Sequence, residues 1–236
     1  MSDAEQSAPA ATPAPAQPGW MRISLRTAVI MLLFTLFFTA LMAGVYQLTR
    51  PTIEATMLDA KRRLIAEVLP PADYDNDLLA DAINLPPVPE IGLAESSRLY
   101  RARRGGEPVA LVLEAAAPDG YSGQIALILA VRADGRLAAV RVTQHKETPG
   151  LGDYIDPKKD KNKRNPWIAQ FSEKHFGEVP LEKWRVKKDG GSFDQHVGAT
   201  ISARAVVNAT GRALNWALER TDTLYQLPAE ARYEEK

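Results

Sequence analysis

Apolar residues along this chain occur in three patterns: one unbroken block, a set of short runs, and one long periodic stripe. The block runs from Thr27 to Leu48 without a charged side chain. About 20 such residues are what an α-helix needs to cross a bilayer, so 27–48 is predicted to be a transmembrane helix. Arg22 and Arg26 precede it and Arg50 follows, with Trp20 and Tyr46 near the ends as interfacial anchors. The leading cations favour a cytoplasmic N-terminus, although Arg50 blunts the asymmetry. The run is too long for a signal-peptide core, and Ala40, Ala43 and Gly44 form only a vague cleavage site. A retained anchor follows, which places the rest of the chain outside the cytoplasm.

Beyond the anchor, Ile53, Met57, Leu64, Ile65 and Val68 share one face of a helical stalk that Pro70-Pro71 stops. Residues 73–94 are acidic and interrupted by Pro86, Pro87 and Pro89, so 51–96 is read as stalk and connector. A compact domain is expected from Ser97 to Tyr225. In it Pro108–Glu114 and Gln124–Val131 are short apolar runs bounded by turn residues, as buried strands are. Asp134-Gly135 supports a tight hairpin turn. The next strand alternates, with Val140 and Val142 inward and Arg141 and Thr143 outward. An antiparallel meander follows from these signals. Asn165–Phe176 looks helical, with Trp167, Ile168 and Phe171 on one side. From Thr200 to Tyr225, Ala203, Val206, Val207, Thr210, Ala213, Leu214 and Ala217 recur at helical spacing. The predicted class is α+β, an antiparallel sheet with flanking helices. Residues 1–20, rich in Ala and Pro, are predicted to be a disordered tail, and 226–236 a charged one.

Composition narrows the chemistry. The 236 residues carry 29 Lys and Arg against 29 Asp and Glu, so no basic field invites nucleic acid. There is no cysteine, which excludes disulfides, thiolate iron–sulfur clusters and Cys-held zinc from this chain. His145, His175 and His196 show no metal-ligand spacing, and no metal site is expected. No Ser–His–Asp arrangement suggests a nucleophilic enzyme.

Two stretches stand apart. Glu147-Thr148-Pro149-Gly150-Leu151-Gly152 follows the alternating strand, and its Pro-Gly and second glycine force a turn that lets backbone N–H groups approach a ligand. Asp194-Gln195-His196-Val197-Gly198-Ala199-Thr200 leads into the last helix, with Gly198 and Ala199 leaving the approach narrow. Thr200 is read as standing at the helix start, as an ordinary N-cap or as a residue beside a bound phosphate, because free N–H groups and a partial positive charge suit an anion there. Lys187 and Lys188 are further candidates to screen a phosphate.

These two stretches, with Gly120-Tyr121-Ser122-Gly123 and the single N-terminal span, resemble the RnfG (or RsxG) family, the flavin-carrying component of the ion-translocating Rnf electron-transport complexes. The FMN-carrying component of the sodium-pumping NADH:quinone oxidoreductase is a relative of that family. The resemblance covers the anchor and residues 97–222. It implies an FMN-binding domain on the periplasmic side of the cytoplasmic (inner) membrane, with FMN joined through its phosphate to Thr200. Gly198 and Ala199 would be the small residues beside the attachment point and Asp194 the acidic start of the motif. Glu147, Thr148, Gly150, Leu151 and Gly152 would pack near the flavin. The implied partners are the other components of the complex, a flavin transferase and membrane lipid. The implied activity is electron relay in a translocase that couples ferredoxin and NAD to sodium or proton movement. Val197 stands where the family pattern has Ser or Thr, which removes a hydroxyl beside the attachment site. The alternatives are the quinone-reductase component and an anchored scaffold without flavin.

Overall fold

The computed structural model describes residues 19–234, so the expectations for 1–18 and for the last two residues lie outside the described residues. The chain divides into two compact units, residues 1–58 and 59–236. Helix α1 (Trp20–Val68) supplies the described part of the first and the opening of the second, with Pro51 inside it. Span and stalk therefore belong to one helix.

Along the first unit α1 exposes Leu33, Phe34, Phe37, Leu41 and many like them. A soluble surface does not carry so continuous an apolar coat, whereas hydrocarbon accepts it. Three threonine hydroxyls along this stretch are satisfied within the helix. Those of Thr27, Thr35 and Thr49 donate to the carbonyls of Ile23, Met31 and Val45 at 3.0, 2.8 and 2.9 Å. That is what a segment without water requires. Among the described residues, α1 is the one helix long and apolar enough to cross a membrane.

The second unit is built on a five-stranded sheet in which each strand pairs antiparallel with the next. The strands are β1 (Ala82–Leu85), β2 (Ser97–Arg104), β3 (Glu107–Ala117), β4 (Ile125–Arg132) and β5 (Leu137–Gln144). The predicted meander is present, and Asp134-Gly135 makes the β4–β5 turn with Gly135 at φ +86°. Helix α2 (Thr200–Gln226) covers one face, where Leu111, Leu113, Leu129 and Val140 form a core with Val206, Val207, Leu214 and Trp216. The other face carries Tyr100, Ala110, Val112, Ile128 and Ala130 against Ile65 and Val68 from the end of α1 and Leu69 just after it. Cover on both faces explains why β3 and β4 read as apolar runs rather than alternating ones.

Three segments depart from the sequence reading. The acidic connector contributes β1, which pairs with β2 from Ala82↔Tyr100 to Leu85↔Ser97. Residues after α2 do not trail away: the Asn84 N–H donates to the Ala231 carbonyl at 2.8 Å, and the Tyr233 N–H donates to the Asn84 carbonyl at 2.9 Å. The helix expected over 165–176 is a short 3-10 turn, Trp167–Phe171. Its continuation is diverted to the sheet, because Glu173 N–H donates to the Leu137 carbonyl and Leu137 N–H to that of Lys174. Backbone groups spent on β5 are not available to extend a helix.

A buried cation locks the end of α2 to the sheet. Arg101 on β2 is 2% exposed and donates to the carbonyls of Leu224, at 3.1 Å, and Leu227. Arg103 donates to the Tyr225 carbonyl at 3.0 Å. These carbonyls have no partner further along the helix, so the two guanidiniums complete its C-terminus. Asp81 pairs with both, reaching Arg103 at 2.8 Å. Replacing Asp81 with Ala strands a buried charge, and we expect it to lower unfolding stability by about 3 kcal/mol. Chemical denaturation of the detergent-solubilised chain, followed by circular dichroism, reads this directly.

Candidate functional site

The approach to α2 is a turn spanning His196–Ala199, closed by the Ala199 N–H donating to the His196 carbonyl at 3.3 Å. Gly198 takes φ +89°, a conformation that L side chains rarely adopt and that type II turns require at this position. Ala199 is the N-cap residue and has no side-chain oxygen to cap with. Thr200 is the first helical residue rather than the cap. Its hydroxyl has no hydrogen-bond partner among the described residues. A 27-residue helix thus begins with uncapped N–H groups and an unengaged hydroxyl side by side.

The other motif folds back onto this point. The N–H groups of Leu151 and Gly152 both donate to the Thr148 carbonyl at 3.1 Å, and the N–H of Gly150, a residue at φ +76°, donates to Asp153 Oδ1 at 2.9 Å. Glu147, 4% exposed, accepts from Ser122 N–H at 3.1 Å and from the Ser202 hydroxyl. One carboxylate therefore joins the β3–β4 loop, the glycine turn and the first turn of α2. Gly152 sits against that junction. A Cβ there would lie 2.6 Å from Ser202 Oγ and 2.9 Å from Glu147 Oε2.

Between the two motifs lies a cavity of about 290 Å³. Glu147, Thr148, Leu151 and Gly152 line one side, and Gly198, Ala199 and Thr200 the other. Asp194 and Gly150 do not line it. Asp194 is exposed and pairs with Lys187 at 2.6 Å, while its backbone is held by Gln170 and Trp167 at 2.8 and 2.7 Å. Gly150 shapes the turn from outside. Lys187 is thus engaged elsewhere, and neither it nor Lys188 lines the cavity. Arg204, one turn into α2, is held by both oxygens of Asp189 at 2.5 and 2.9 Å. Among the described residues no Lys or Arg lines the cavity, so attraction for an anion comes from the start of α2.

Ser202, Ile201 and Tyr121 complete the lining; sequence reasoning did not assign them to the site, and Tyr121 entered only through the Gly120–Gly123 stretch. Ser202 left a faint signal, as a hydroxyl two residues past Thr200 that must be satisfied if buried. Its acceptor is 55 residues away in sequence, and only the fold shows it.

This donor set fits a flavin mononucleotide. A phosphate would meet N–H groups and a hydroxyl here, and the exposed Leu151, Ile201 and Tyr121 offer apolar surface at the rim. A membrane-anchored domain with such a site defines a class of flavin carriers, and comparison with known proteins agrees. Residues 120–215 match the FMN-binding domain family, and residues 21–68 match the RnfG N-terminal region. The first range holds both motifs and most of α2, and the second nearly coincides with α1.

Curated relatives, each named as the G component of an ion-translocating oxidoreductase complex, align over most of the chain. The Pseudomonas aeruginosa (strain UCBPP-PA14) protein is 44% identical over 83% of this chain and 89% of its own length. That of Escherichia coli O157:H7 is 43% identical over 85% and 94%, and that of Shewanella loihica 40% over 90% and 99%. The chain belongs to this RnfG family of oxidoreductase components. These relatives favour that reading over the quinone-reductase component and the flavin-free scaffold.

Because Gly152 leaves no space for a methyl group, Gly152→Ala must push Ser202 and Glu147 apart. We expect a loss of about 1–3 kcal/mol in stability, measured as a lowered thermal midpoint.

Proposed function

We propose that FMN is held on Thr200 by a phosphate ester and that the chain relays electrons within a membrane complex that moves ions. The observation that carries this reading is the convergence of two motifs, about 50 residues apart, on one cavity where the Thr200 hydroxyl is unengaged. Bound there, the flavin supplies one- and two-electron transfer. The protein's part is positional. The α2 N-terminus offsets the remaining phosphate charge, Gly198 keeps the approach open, and the glycine turn walls the opposite side. Covalent attachment replaces a binding equilibrium with a high effective concentration, which suits a compartment poor in free FMN.

By its membership, the chain works with the other components of an ion-translocating oxidoreductase. The resemblance supports electron exchange between ferredoxin and NAD coupled to sodium or proton movement. Maturation needs a flavin transferase, and α1 sits in lipid. Arg22 and Arg26 support an N-terminus in the cytoplasm and a flavin domain on the periplasmic side of the inner membrane.

Mass spectrometry of the peptide containing Thr200, from protein matured in a host with an active transferase, should show one FMN phosphate adduct. Thr200→Ala should abolish in-gel flavin fluorescence while the circular dichroism spectrum is kept. A bare Thr200 in such protein, or fluorescence retained by the variant, defeats the assignment.

Val197 bears on the departure from the family pattern. Its side chain is 100% exposed, and it does not line the cavity. A hydroxyl at this position would point to solvent in this structure. Val197→Ser should therefore leave flavin loading unchanged or raise it, as read by the modified fraction in intact-mass spectra.

A further inference from the structure

We infer that the Tyr154 hydroxyl is a positioning group for flavin attachment, clasping the turn that presents Thr200; this rests on the covalent reading above. The turn runs from His196 to Ala199, and the Tyr154 oxygen touches both of its ends. It accepts the His196 N–H at 3.2 Å and donates to the Ala199 carbonyl at 3.3 Å. The turn's own closing bond runs from Ala199 N–H to the His196 carbonyl at 3.3 Å. One phenol thus binds the first N–H and the last carbonyl of a four-residue loop whose next residue is Thr200. Burial raises the Tyr154 pKa, so the hydroxyl keeps the proton it donates.

The clasp is itself held firmly. Tyr154 lies on the short 3-10 turn Asp153–Ile155, directly after the glycine turn that forms the opposite wall of the cavity. Its ring stacks on the His196 imidazole at 3.8 Å and 17°, and meets Trp167 edge-on at 5.4 Å. Trp167 holds Asp194, where the approach begins. The segment from Asp194 to Ala199 is consequently fixed from one side by two aromatic residues. Its other side, at Val197, faces solvent, where a transferase can reach it.

The arrangement matters because attachment is a displacement with strict alignment. A bond forms between Thr200 Oγ1 and the flavin phosphorus, and the phosphoanhydride bond of a flavin dinucleotide donor breaks. The nucleoside monophosphate leaves, the hydroxyl proton is released, and no electron moves. A hydroxyl displaced by an ångström reacts far more slowly even when the donor and the transferase are bound. Without the Tyr154 oxygen, a single hydrogen bond closes the turn where three contacts hold it now.

The test uses the full-length chain in detergent, produced in a host lacking the transferase. It is then incubated with purified flavin transferase and flavin adenine dinucleotide, and intact mass is followed over time. Wild type should load and Thr200→Ala should not. Tyr154→Phe keeps the ring contacts and should keep a thermal midpoint within a few degrees of wild type. Its kcat for loading should fall about tenfold or more with KM changed by less than about twofold. His196→Ala keeps the backbone N–H that Tyr154 binds and removes only the ring stack, so its loading kcat should fall less than that of Tyr154→Phe.

Failure of wild type to load removes the covalent reading and this inference with it. Normal loading by Tyr154→Phe, or a defect confined to KM, overturns the inference and leaves the covalent reading intact. If Tyr154→Phe proves unfolded, His196→Ala decides. A fall of about tenfold or more in that variant assigns the positioning to ring stacking instead of the hydroxyl and overturns the inference; a smaller fall supports it.

Discussion

The Glu147 carboxylate is the constraint around which the site is arranged. Its two oxygens are bound by groups from separate stretches of chain, Ser122 N–H and the Ser202 hydroxyl, and it is itself buried. A buried carboxylate left short of donors is costly, so each of the three segments is held where it satisfies the other two. Gly152 is required where it is because nothing larger fits beside that contact. The wall of the cavity and the start of α2 are thus fixed by one hydrogen-bonded junction.

Charge is distributed with the same economy. Arg204 and Lys187, which flank Thr200 in sequence, are taken up by Asp189 and Asp194. The cavity is left with backbone N–H groups as its positive end. A helix start is a fixed dipole that needs no side-chain rearrangement, whereas a flexible lysine would have to be ordered for each ligand. The far end of α2 is treated in the opposite way. There Arg101 and Arg103 satisfy the terminal carbonyls, and Asp81 balances them. One end of the helix is closed by side chains and the other is left open to an anion. That asymmetry suits α2 to a phosphate at its start while its apolar stripe covers the sheet.

Elements with their own periodicity or length were legible in the chain. The uncharged run 27–48, the α2 stripe, the two apolar strands and the Asp-Gly hairpin each announce themselves through local pattern, because a helix or a buried strand must repeat its apolar residues at its own period. Elements defined by a distant partner were not. β1 lies in a proline-broken acidic segment and is a strand only because β2 and the tail near Tyr233 pair with it. The 165–176 segment has helical spacing, yet β5 takes its backbone groups.

At the site, sequence by itself determined the chemistry on offer: a threonine at a helix start, small residues before it, a glycine turn upstream, and neither thiols nor a basic field. Family likeness joined these to a flavin. Tertiary structure decided that Thr200 is the first helical residue with its hydroxyl unengaged, that Glu147 bonds Ser202, and that Asp194 turns outward to Lys187. The reason is separation along the chain. Glu147 and Ser202 are 55 residues apart, and Tyr154 and Ala199 are 45 apart. Local pattern reports which backbone shape a segment prefers, but a hydrogen bond across such a distance exists only once the sheet has brought its ends together.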